Sequence, residues 1–204
     1  MLNSEAMNAQ LNPFSGAQSG PITHTAQVPS HFDTQVDGDT FTLNNDNETT
    51  ILFDPLVNKG IVKFVVQNIK NLIAAVGIAD ETVKYGRKEF PDARGKEKIV
   101  RYDCPGWIEH IDDYIKGNAE FYKTGDRVTL ELNMDSSPRT LTFFVNDEEQ
   151  PNYATNIPAS VRFFASLWLK DDSFKVLKFE ALPAPTAQHA AGSRSWEYGT
   201  EWEE

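Results

Sequence analysis

Residues 127–145 alternate apolar and polar side chains, and this period of two is the feature that most limits the fold. In the first half, one face carries Val128, Leu130, Leu132 and Met134. In the second half, the corresponding row is Leu141, Phe143 and Val145. The intervening residues 135–139 combine one Asp, two Ser and one Pro with an Arg, a composition that favours a tight turn. Because successive strand residues face opposite sides of a sheet, the pattern predicts a β-hairpin with one buried face.

Other apolar segments recur at short spacing, without the amphipathic stretches that indicate helices between strands. These segments are FTL, TTILF, GIVKFVVQNI, NLIAAVGIAD, VRFFASLWL and FKVLKFEAL. Their order predicts an all-β fold, an antiparallel β-sandwich of the jelly-roll type, over residues 37–182.

Three further segments differ from these strands in composition. Residues 1–36 are rich in Asn, Gln, Ser, Thr, Pro and Gly, so we expect a disordered N-terminal linker. Residues 183–204 look similar but end in SWEYGTEWEE, so we expect a disordered, acidic tail that carries aromatic side chains. Residues 81–106 form a long charged loop, and loops longer than about 12–15 residues are usually functional or disordered.

Charge and composition narrow the classes of partner. A net charge of −11 and an isoelectric point near 4.8 argue against nucleic acid, since that binding needs clustered positive charge. No apolar segment reaches the roughly 20 residues of a membrane span. Cys104 is the only cysteine, so no internal disulfide is expected, and the N-terminus lacks a signal-peptide pattern. We therefore expect a cytoplasmic protein that does not insert into a membrane.

Catalytic and metal-binding patterns are weak. We expect His110, in WIEHIDDY, to be a surface histidine on a strand edge whose acidic neighbours favour its protonated form. Glu109, Asp112 and Asp113 are the only tight acidic group in a predicted strand, but their spacing does not give the isolated carboxylate pair of a glycosidase. The segment VDGDTFTLNNDNE lacks the ligand order of a calcium loop. We predict no enzyme activity, no metal and no cofactor.

Three parts of the sequence together resemble the SPRY domain family. In GIVKFVVQNIKNLIAAVGIAD, a glycine-started strand precedes one that contains V-G-I-A. In KTGDRVTLELNM, a G-D turn opens an apolar strand, and after the acidic turn the segment TLTFFVND contains L-x-F-x-x-N. IPASVRFFASLW and FKVLKFE are similar to the closing strands of the family. The resemblance implies a bent sandwich of two antiparallel sheets, not an enzyme, that binds a peptide or protein surface through its loops.

The candidate partner-binding residues come from one face of VRFFASLWLK. The row that faces away from the predicted core is Arg162, Phe164, Ser166 and Trp168. Tryptophan and arginine are frequent interface anchors, so we select Trp168 and Arg162. The resemblance supports Trp168, because a tryptophan at the corresponding step borders the peptide pocket in SPRY proteins that carry a SOCS box. The alternative is that a loop or the second sheet covers Trp168. Tyr85 and Trp107 are expected to form the opposite wall, with core packing as the alternative for Trp107.

Residues 84–101 carry seven basic and three acidic side chains, a local charge of +4 in a chain of −11. We expect this segment, including Arg87 and Lys88, to attract an acidic peptide. A solvated, mobile loop is the alternative.

Both ends of the chain contain candidate ligand motifs. Asn12, Pro13 and Phe14 form a tripeptide similar to the one that EH domains recognise. We hypothesise that the C-terminal tail, with Trp196 and Trp202, folds back onto residues 84–101 and covers the domain's own site. The alternative is an ordinary disordered tail, or a tail that binds an unrelated receptor.

The sequence therefore predicts a non-enzymatic interaction module that binds a protein or peptide ligand. A glycan-binding, lectin-like sandwich, in which Trp168 stacks on a sugar, is the first alternative. A polysaccharide hydrolase that uses Glu109 on the same architecture is the second.

Overall fold

Seventeen β-strands and two short 3-10 helices form the regular structure of residues 19–203, which a computed structural model describes. In chain order the strands are β1 (Gly20–Pro21), β2 (Thr25–Gln27), β3 (Thr34–Asp37), β4 (Thr40–Leu43), β5 (Thr49–Val57), β6 (Ile61–Lys70), β7 (Ala75–Asp80), β8 (Ile99–Asp103), β9 (Trp107–His110), β10 (Asp113–Ile115), β11 (Arg127–Asn133), β12 (Thr140–Val145), β13 (Glu148–Glu149), β14 (Asn152–Thr155), β15 (Val161–Leu167), β16 (Ser173–Leu182) and β17 (Arg194–Glu197). The helices, Pro91–Arg94 and Lys96–Lys98, lie just before β8. The predicted all-β class is confirmed.

The strands form two sheets that pack face to face. Sheet A has ten strands in the main order β17-β14-β12-β11-β6-β16-β4-β3, with β1 beside β16 and β13 beside β12. Sheet B has seven strands in the order β10-β9-β8-β7-β15-β5-β2. In the described residues every pairing is antiparallel except that of β14 with β17. The predicted antiparallel sandwich is thus the architecture of the chain.

The predicted hairpin at 127–145 is formed by β11 and β12. Leu130 lies opposite Phe143, and Leu132 lies opposite Leu141. All seven side chains of the two predicted apolar rows are buried in the main core. The core also contains residues of sheet B, and Phe64 of sheet A stacks on Phe163 of sheet B at 5.0 Å. Alternation along each strand therefore supplies the two inner faces that meet in the core.

A second, smaller core lies on the outer face of sheet B. Phe164 points away from the main core and is fully buried beneath residues 81–98. Val83 and Ile99 are buried in the same cluster. Gly77 makes room for this packing, because a Cβ at that position would lie 2.1 Å from the Val100 carbonyl oxygen and 2.6 Å from the Phe164 ring. The 81–98 segment is therefore a covering layer of sheet B.

We expected the domain to begin at residue 37 after a disordered linker, and this is wrong for residues 20–36, which are part of the sandwich. β1 pairs with β16, β2 with β5 and β3 with β4, so this polar segment extends both sheets. Its backbone hydrogen bonds to sheet edges do not require apolar side chains, which explains why composition suggested disorder. The expected loop at 81–106 is also too long, because β8 occupies its last part.

The expected disordered tail is likewise wrong for residues 183–203. The stretch after β16 crosses the outer face of sheet A, where Glu131 accepts hydrogen bonds from the backbone N–H groups of Thr186 (2.8 Å) and Ala187 (3.0 Å). Further on, β17 adds to sheet A beside β14, and Trp202 is buried in the main core. The sandwich therefore includes this C-terminal segment.

Candidate functional site

Trp168 lies immediately after β15 and is 54% exposed. Its backbone is fixed, because the buried carboxylate of Asp172 accepts hydrogen bonds from the N–H groups of Trp168 (3.2 Å) and Leu169 (2.8 Å). The N–H of Lys170 donates to Asp46 at 2.9 Å. A large apolar ring is thus held at the surface on a turn that has little freedom.

Phe90 is the aromatic neighbour of Trp168, with ring centroids 6.2 Å apart and planes at 72°. Phe90 is placed by its own loop. The carbonyl of Glu89 accepts a hydrogen bond from the Thr50 hydroxyl (2.9 Å), and the Glu89 carboxylate accepts from Gly86 N–H and Arg94. The folded 81–98 segment therefore sets one wall beside the tryptophan.

A shallow concavity of about 260 Å³ lies between these two aromatic rings and the turn after β8. Its apolar lining consists of Ala74, Phe90, Pro105 and Trp168. Its polar lining consists of Glu48, Asp103 and Cys104. An apolar depression with a few polar groups at its border is a typical shape for receiving one side chain of a ligand.

The two lining carboxylates differ in their surroundings. Asp103 accepts a hydrogen bond from Arg101 Nε at 3.0 Å, and Arg101 also forms an ion pair with Glu109 at 2.5 Å. Burial, with Glu109 nearby, raises the pKa of Asp103 to about 7 in spite of the Arg101 contact. Glu48 makes no side-chain hydrogen bond or ion pair with another residue of 19–203. The border of the concavity therefore carries one free carboxylate and one that is partly neutralised.

Cys104 lies in the same lining and is half-buried. Burial, with Asp103 nearby, raises the pKa of its thiol to about 12. The thiol therefore stays protonated near neutral pH, and its geometry gives no reason to treat it as a nucleophile.

A second exposed aromatic ring, Phe32, lies in the loop between β2 and β3 and is 77% exposed. The Arg87 guanidinium lies 5.4 Å from the ring centroid and forms an ion pair with Asp33. Hydrogen bonds from Arg87, with others from Asn45 and Asn47, hold the pKa of the Asp33 carboxyl well below its usual range. One buried carboxylate thus ties together the loops 28–33, 44–48 and 81–98.

We call this region the Trp168 surface. It comprises the concavity and the exposed side chains of Phe32, Arg87, Lys88, Trp168 and Leu169.

Three of the predicted site residues lie away from the concavity. The Tyr85 hydroxyl donates to the Pro91 carbonyl at 2.6 Å, and its ring packs edge-on against Phe164 in the second core. Trp107 stacks on Tyr114 at 5.1 Å on the β9–β10 hairpin. Arg162 forms an ion pair with Asp54 at 2.7 Å. The structure therefore does not place Tyr85 or Trp107 as a wall opposite Trp168.

The basic segment 84–101 is largely neutralised by local ion pairs. Arg87, Arg94, Lys96 and Arg101 each pair with a carboxylate. Within residues 19–203, Lys84, Lys88 and Lys98 form no such pair. The segment is therefore a cross-linked layer of the fold, and its free positive charge is smaller than the sequence suggests.

The C-terminal tail folds back on the domain but not onto the basic residues of 84–101. The Trp196 indole N–H donates to Asn152 Oδ1 at 3.0 Å, and the backbone N–H of Trp202 donates to Asp113 at 3.1 Å. No ion pair within residues 19–203 joins the tail glutamates to that segment. Strand addition beside β14 and burial of Trp202 fix the tail on the domain, and His110 links it to the 84–101 segment by bonding both Gly199 and the Ile99 carbonyl. The tail therefore docks within the molecule, but the expected pairing of its glutamates with the basic side chains of that segment is wrong.

His110 is buried, in contrast to the expected surface position. Its Nε2 accepts the Gly199 N–H at 2.7 Å, so Nδ1 carries the proton and donates to the Ile99 carbonyl at 2.6 Å. Burial lowers the pKa of His110, and this effect outweighs the opposite effects of the Ile99 hydrogen bond and nearby Glu97. The expected protonated form is therefore wrong, and the histidine is a neutral bridge to the C-terminal segment.

The acidic group at 109–113 is divided among structural contacts. Glu109 pairs with Arg101, Asp112 pairs with Lys96 at 2.9 Å, and Asp113 accepts from Trp202. Among residues 19–203 no cluster of three or more His, Cys, Asp or Glu side chains is suited to a metal ion. Neither 3-10 helix in that range has the length or apolar character of a transmembrane helix. The tripeptide Asn12, Pro13 and Phe14 lies outside the described residues.

Sequence reasoning missed Phe32, Phe90, Glu48 and Asp103. Phe32 stood in the segment that we expected to be disordered, and Phe90 in a charged loop. The available signal for Phe90 was its aromatic side chain in an otherwise charged segment. The positions of Glu48 and Asp103 depend on strand pairing, which the sequence pattern does not specify.

Fold and geometry together define a two-sheet antiparallel sandwich with an aromatic loop surface at one side. Solved structures with the same architecture include the SPRY domain of human HERC1, with a TM-score of 0.57 and 16% identity, covering 79% of this chain and 98% of that one. They also include the TRIM65 PSpry domain, with a TM-score of 0.54 and 8% identity, covering 71% of this chain and 83% of that one. No family model and no curated protein matches the sequence. The chain therefore has the fold of a SPRY domain, which confirms the predicted resemblance at the level of fold.

Proposed function

We propose that this protein is an interaction module that binds a peptide or protein loop at the Trp168 surface. The observation that carries the proposal is the Trp168 ring, more than half exposed on a turn that Asp172 holds in place. Exposing such a ring has no benefit for folding, since burying it would remove a large apolar area from water. Pre-ordered tryptophans of this kind are frequent anchors of protein interfaces.

The surroundings of Trp168 support the same function. Phe32 and Leu169 add exposed apolar area, and both lie in turns next to hydrogen-bonded carboxylates. Loops on a rigid sandwich combine variable surface chemistry with fixed geometry. The SPRY-like fold is consistent with this function, because the resemblance implies binding through loops.

Crosslinking mass spectrometry on cell extract tests the proposal. Lys88 and Lys170 are exposed at the Trp168 surface, so a partner bound there should crosslink to them. Trp168→Ala should abolish these crosslinks. Tyr114→Ala is the matched control, since Tyr114 is 47% exposed on the β9–β10 hairpin and should leave them unchanged. Equal crosslinking in all three proteins would contradict the proposal.

A glycan ligand is the second candidate, and one observation favours it. An exposed indole beside the free carboxylate of Glu48 could stack on a sugar ring and accept hydrogen bonds from its hydroxyl groups. Binding of the intact protein to a glycan array, lost with Trp168→Ala, would support this function over peptide binding. If no glycan on the array bound in a Trp168-dependent way, a glycan ligand at this surface would be ruled out.

A further inference from the structure

The border of the concavity beside Trp168 is acidic. Of the described residues that line it, Glu48 and Asp103 are carboxylates and none is a lysine or arginine. Asp46 lies in the same loop as Glu48, where it accepts the Lys170 N–H. A cavity with aromatic walls and carboxylates at its border presents negative potential to any side chain that enters it.

The arginine that contacts Asp103, Arg101, does not neutralise this border. Arg101 contacts three carboxylates, with distances of 3.0 Å to Asp103, 2.5 Å to Glu109 and 4.0 Å to Asp92. The single positive charge of Arg101 is therefore shared among three carboxylates and cannot neutralise them all. Glu48 has no cationic partner within residues 19–203. Burial is the main cause of the raised pKa of Asp103, and the carboxylates of Glu109 and Asp92 add to it.

Resting on the proposed function, we propose that the concavity receives a basic side chain of the partner peptide, an arginine in preference to a lysine. The aliphatic stem and the planar guanidinium pack against the rings of Trp168 and Phe90. The charged end lies at the border, where Glu48 and Asp103 accept its hydrogen bonds. Arginine is preferred because its planar fork stacks on aromatic rings and binds carboxylates through two N–H groups.

The charge of the whole chain points to the same class of partner. With a net charge of −11, the protein attracts basic segments over a distance of about one Debye length and repels acidic ones. The acidic peptide that the sequence of 84–101 suggested would meet Glu48 and Asp103 at the concavity. Four of the seven basic residues of that segment are already paired, and none of the seven lines the concavity, so the charge at the concavity itself favours a cationic ligand.

Selection from a random peptide library displayed on phage tests the inference with the whole 204-residue chain. Peptides are first sorted by whether Trp168→Ala abolishes their binding. Among the Trp168-dependent peptides, one position should be enriched in arginine and, less strongly, lysine. Enrichment of acidic or purely apolar residues at that position would overturn the inference while leaving the proposed function intact. An absence of any Trp168-dependent peptide would overturn the proposed function, and the inference with it.

A double-mutant cycle, which removes one charge from the peptide and one from the protein, then identifies the carboxylate that binds the arginine. A selected peptide is compared with its citrulline version, which keeps the shape of arginine without the charge. The dissociation constant should rise about tenfold for the wild-type protein, the size expected for a charge-assisted hydrogen bond with an aromatic contact. With Glu48→Gln the rise should shrink to roughly threefold or less. Glu148→Gln on sheet A is the matched control and should keep the tenfold ratio.

Salt dependence gives an independent readout. Affinity of the arginine peptide should fall as ionic strength rises, whereas affinity of the citrulline peptide should change little. Both Glu48 and Trp168 are partly or largely exposed, so the variants should fold, with melting temperatures within about 4 °C of the wild type. An unchanged arginine-to-citrulline ratio for Glu48→Gln in a folded protein would overturn the placement of the charged end at the Glu48 carboxylate.

Discussion

Replacing Trp202 with alanine should destabilise the domain far more than the same replacement at Trp168. Trp202 is 3% exposed and packs in the main core, where its ring centroid lies 6.0 Å from that of Trp196 and 5.3 Å from that of His110. Its indole N–H also donates to the Glu197 carbonyl at 2.8 Å. Truncating a buried tryptophan to alanine costs about 3–5 kcal/mol, because the transfer free energy is lost and a cavity remains.

The assay is thermal and urea unfolding of the two variants, followed by circular dichroism. In a domain of this size each kcal/mol lowers the melting temperature by about 2–4 °C, so Trp202→Ala should lower it by roughly 6–20 °C. Trp168→Ala should cost less than about 1 kcal/mol, since that ring is 54% exposed. Equal and small effects of the two substitutions would refute the assignment of the C-terminal segment to the core.

Three other perturbations follow from the packing. Gly77→Ala should lower the free energy of unfolding, measured with urea, by about 1–3 kcal/mol, because the added Cβ would overlap the Val100 carbonyl and the Phe164 ring. An unchanged midpoint of urea unfolding would contradict the packing of the second core. The lowered pKa of His110 means that its contribution to stability is present above about pH 6.5, the unfolded value, and is lost as the pH falls. His110→Gln should therefore reduce the loss of unfolding free energy between pH 7 and pH 5, and an identical loss would argue against a buried neutral ring. Tyr85→Phe removes a hydrogen bond to the Pro91 carbonyl and should speed amide exchange of residues 81–98 while leaving the main core protected; unchanged exchange would show that this bond does not hold the loop.

The hairpin and the sandwich could be predicted from the sequence because they depend on the local alternation of apolar and polar residues. Leu130 and Phe143 stand in rows that a period of two places on one face, and the structure pairs them directly. The outward row that contains Trp168 followed from the same rule. These inferences need only the geometry of a strand, which every residue in the element shares.

The segments that cover the outer faces of the sheets, such as 81–98, could not be predicted from periodicity. Phe164 and Trp168 belong to the same outward row, yet the 81–98 segment buries one and leaves the other exposed. Which part of a row a loop covers is decided by long-range contacts, such as the Thr50 hydroxyl bonding to the Glu89 carbonyl. Periodicity contains no information about such contacts.

The ends of the domain were misjudged for a related reason. Residues 20–36 and 183–203 have few apolar side chains, but strands at sheet edges are stabilised through their backbone hydrogen bonds. Trp202 shows the limit of composition as a guide, since one buried ring fixes a segment that is otherwise acidic. His110 was misjudged because its neighbours in sequence are acidic, whereas its neighbours in space are carbonyl, amide and aromatic groups.

Oxidative footprinting of the four tryptophans, with and without a Trp168-dependent peptide from the phage selection, tests the central claim most directly. Mass spectrometry resolves the oxidation rate of each ring separately. In the free protein, Trp168 should be oxidised fastest and Trp202 slowest, in the order of their exposure. Peptide binding should protect Trp168 and leave Trp107 unchanged. A Trp168 ring that resists oxidation without ligand, or protection of Trp107 alone, would contradict binding at the Trp168 surface.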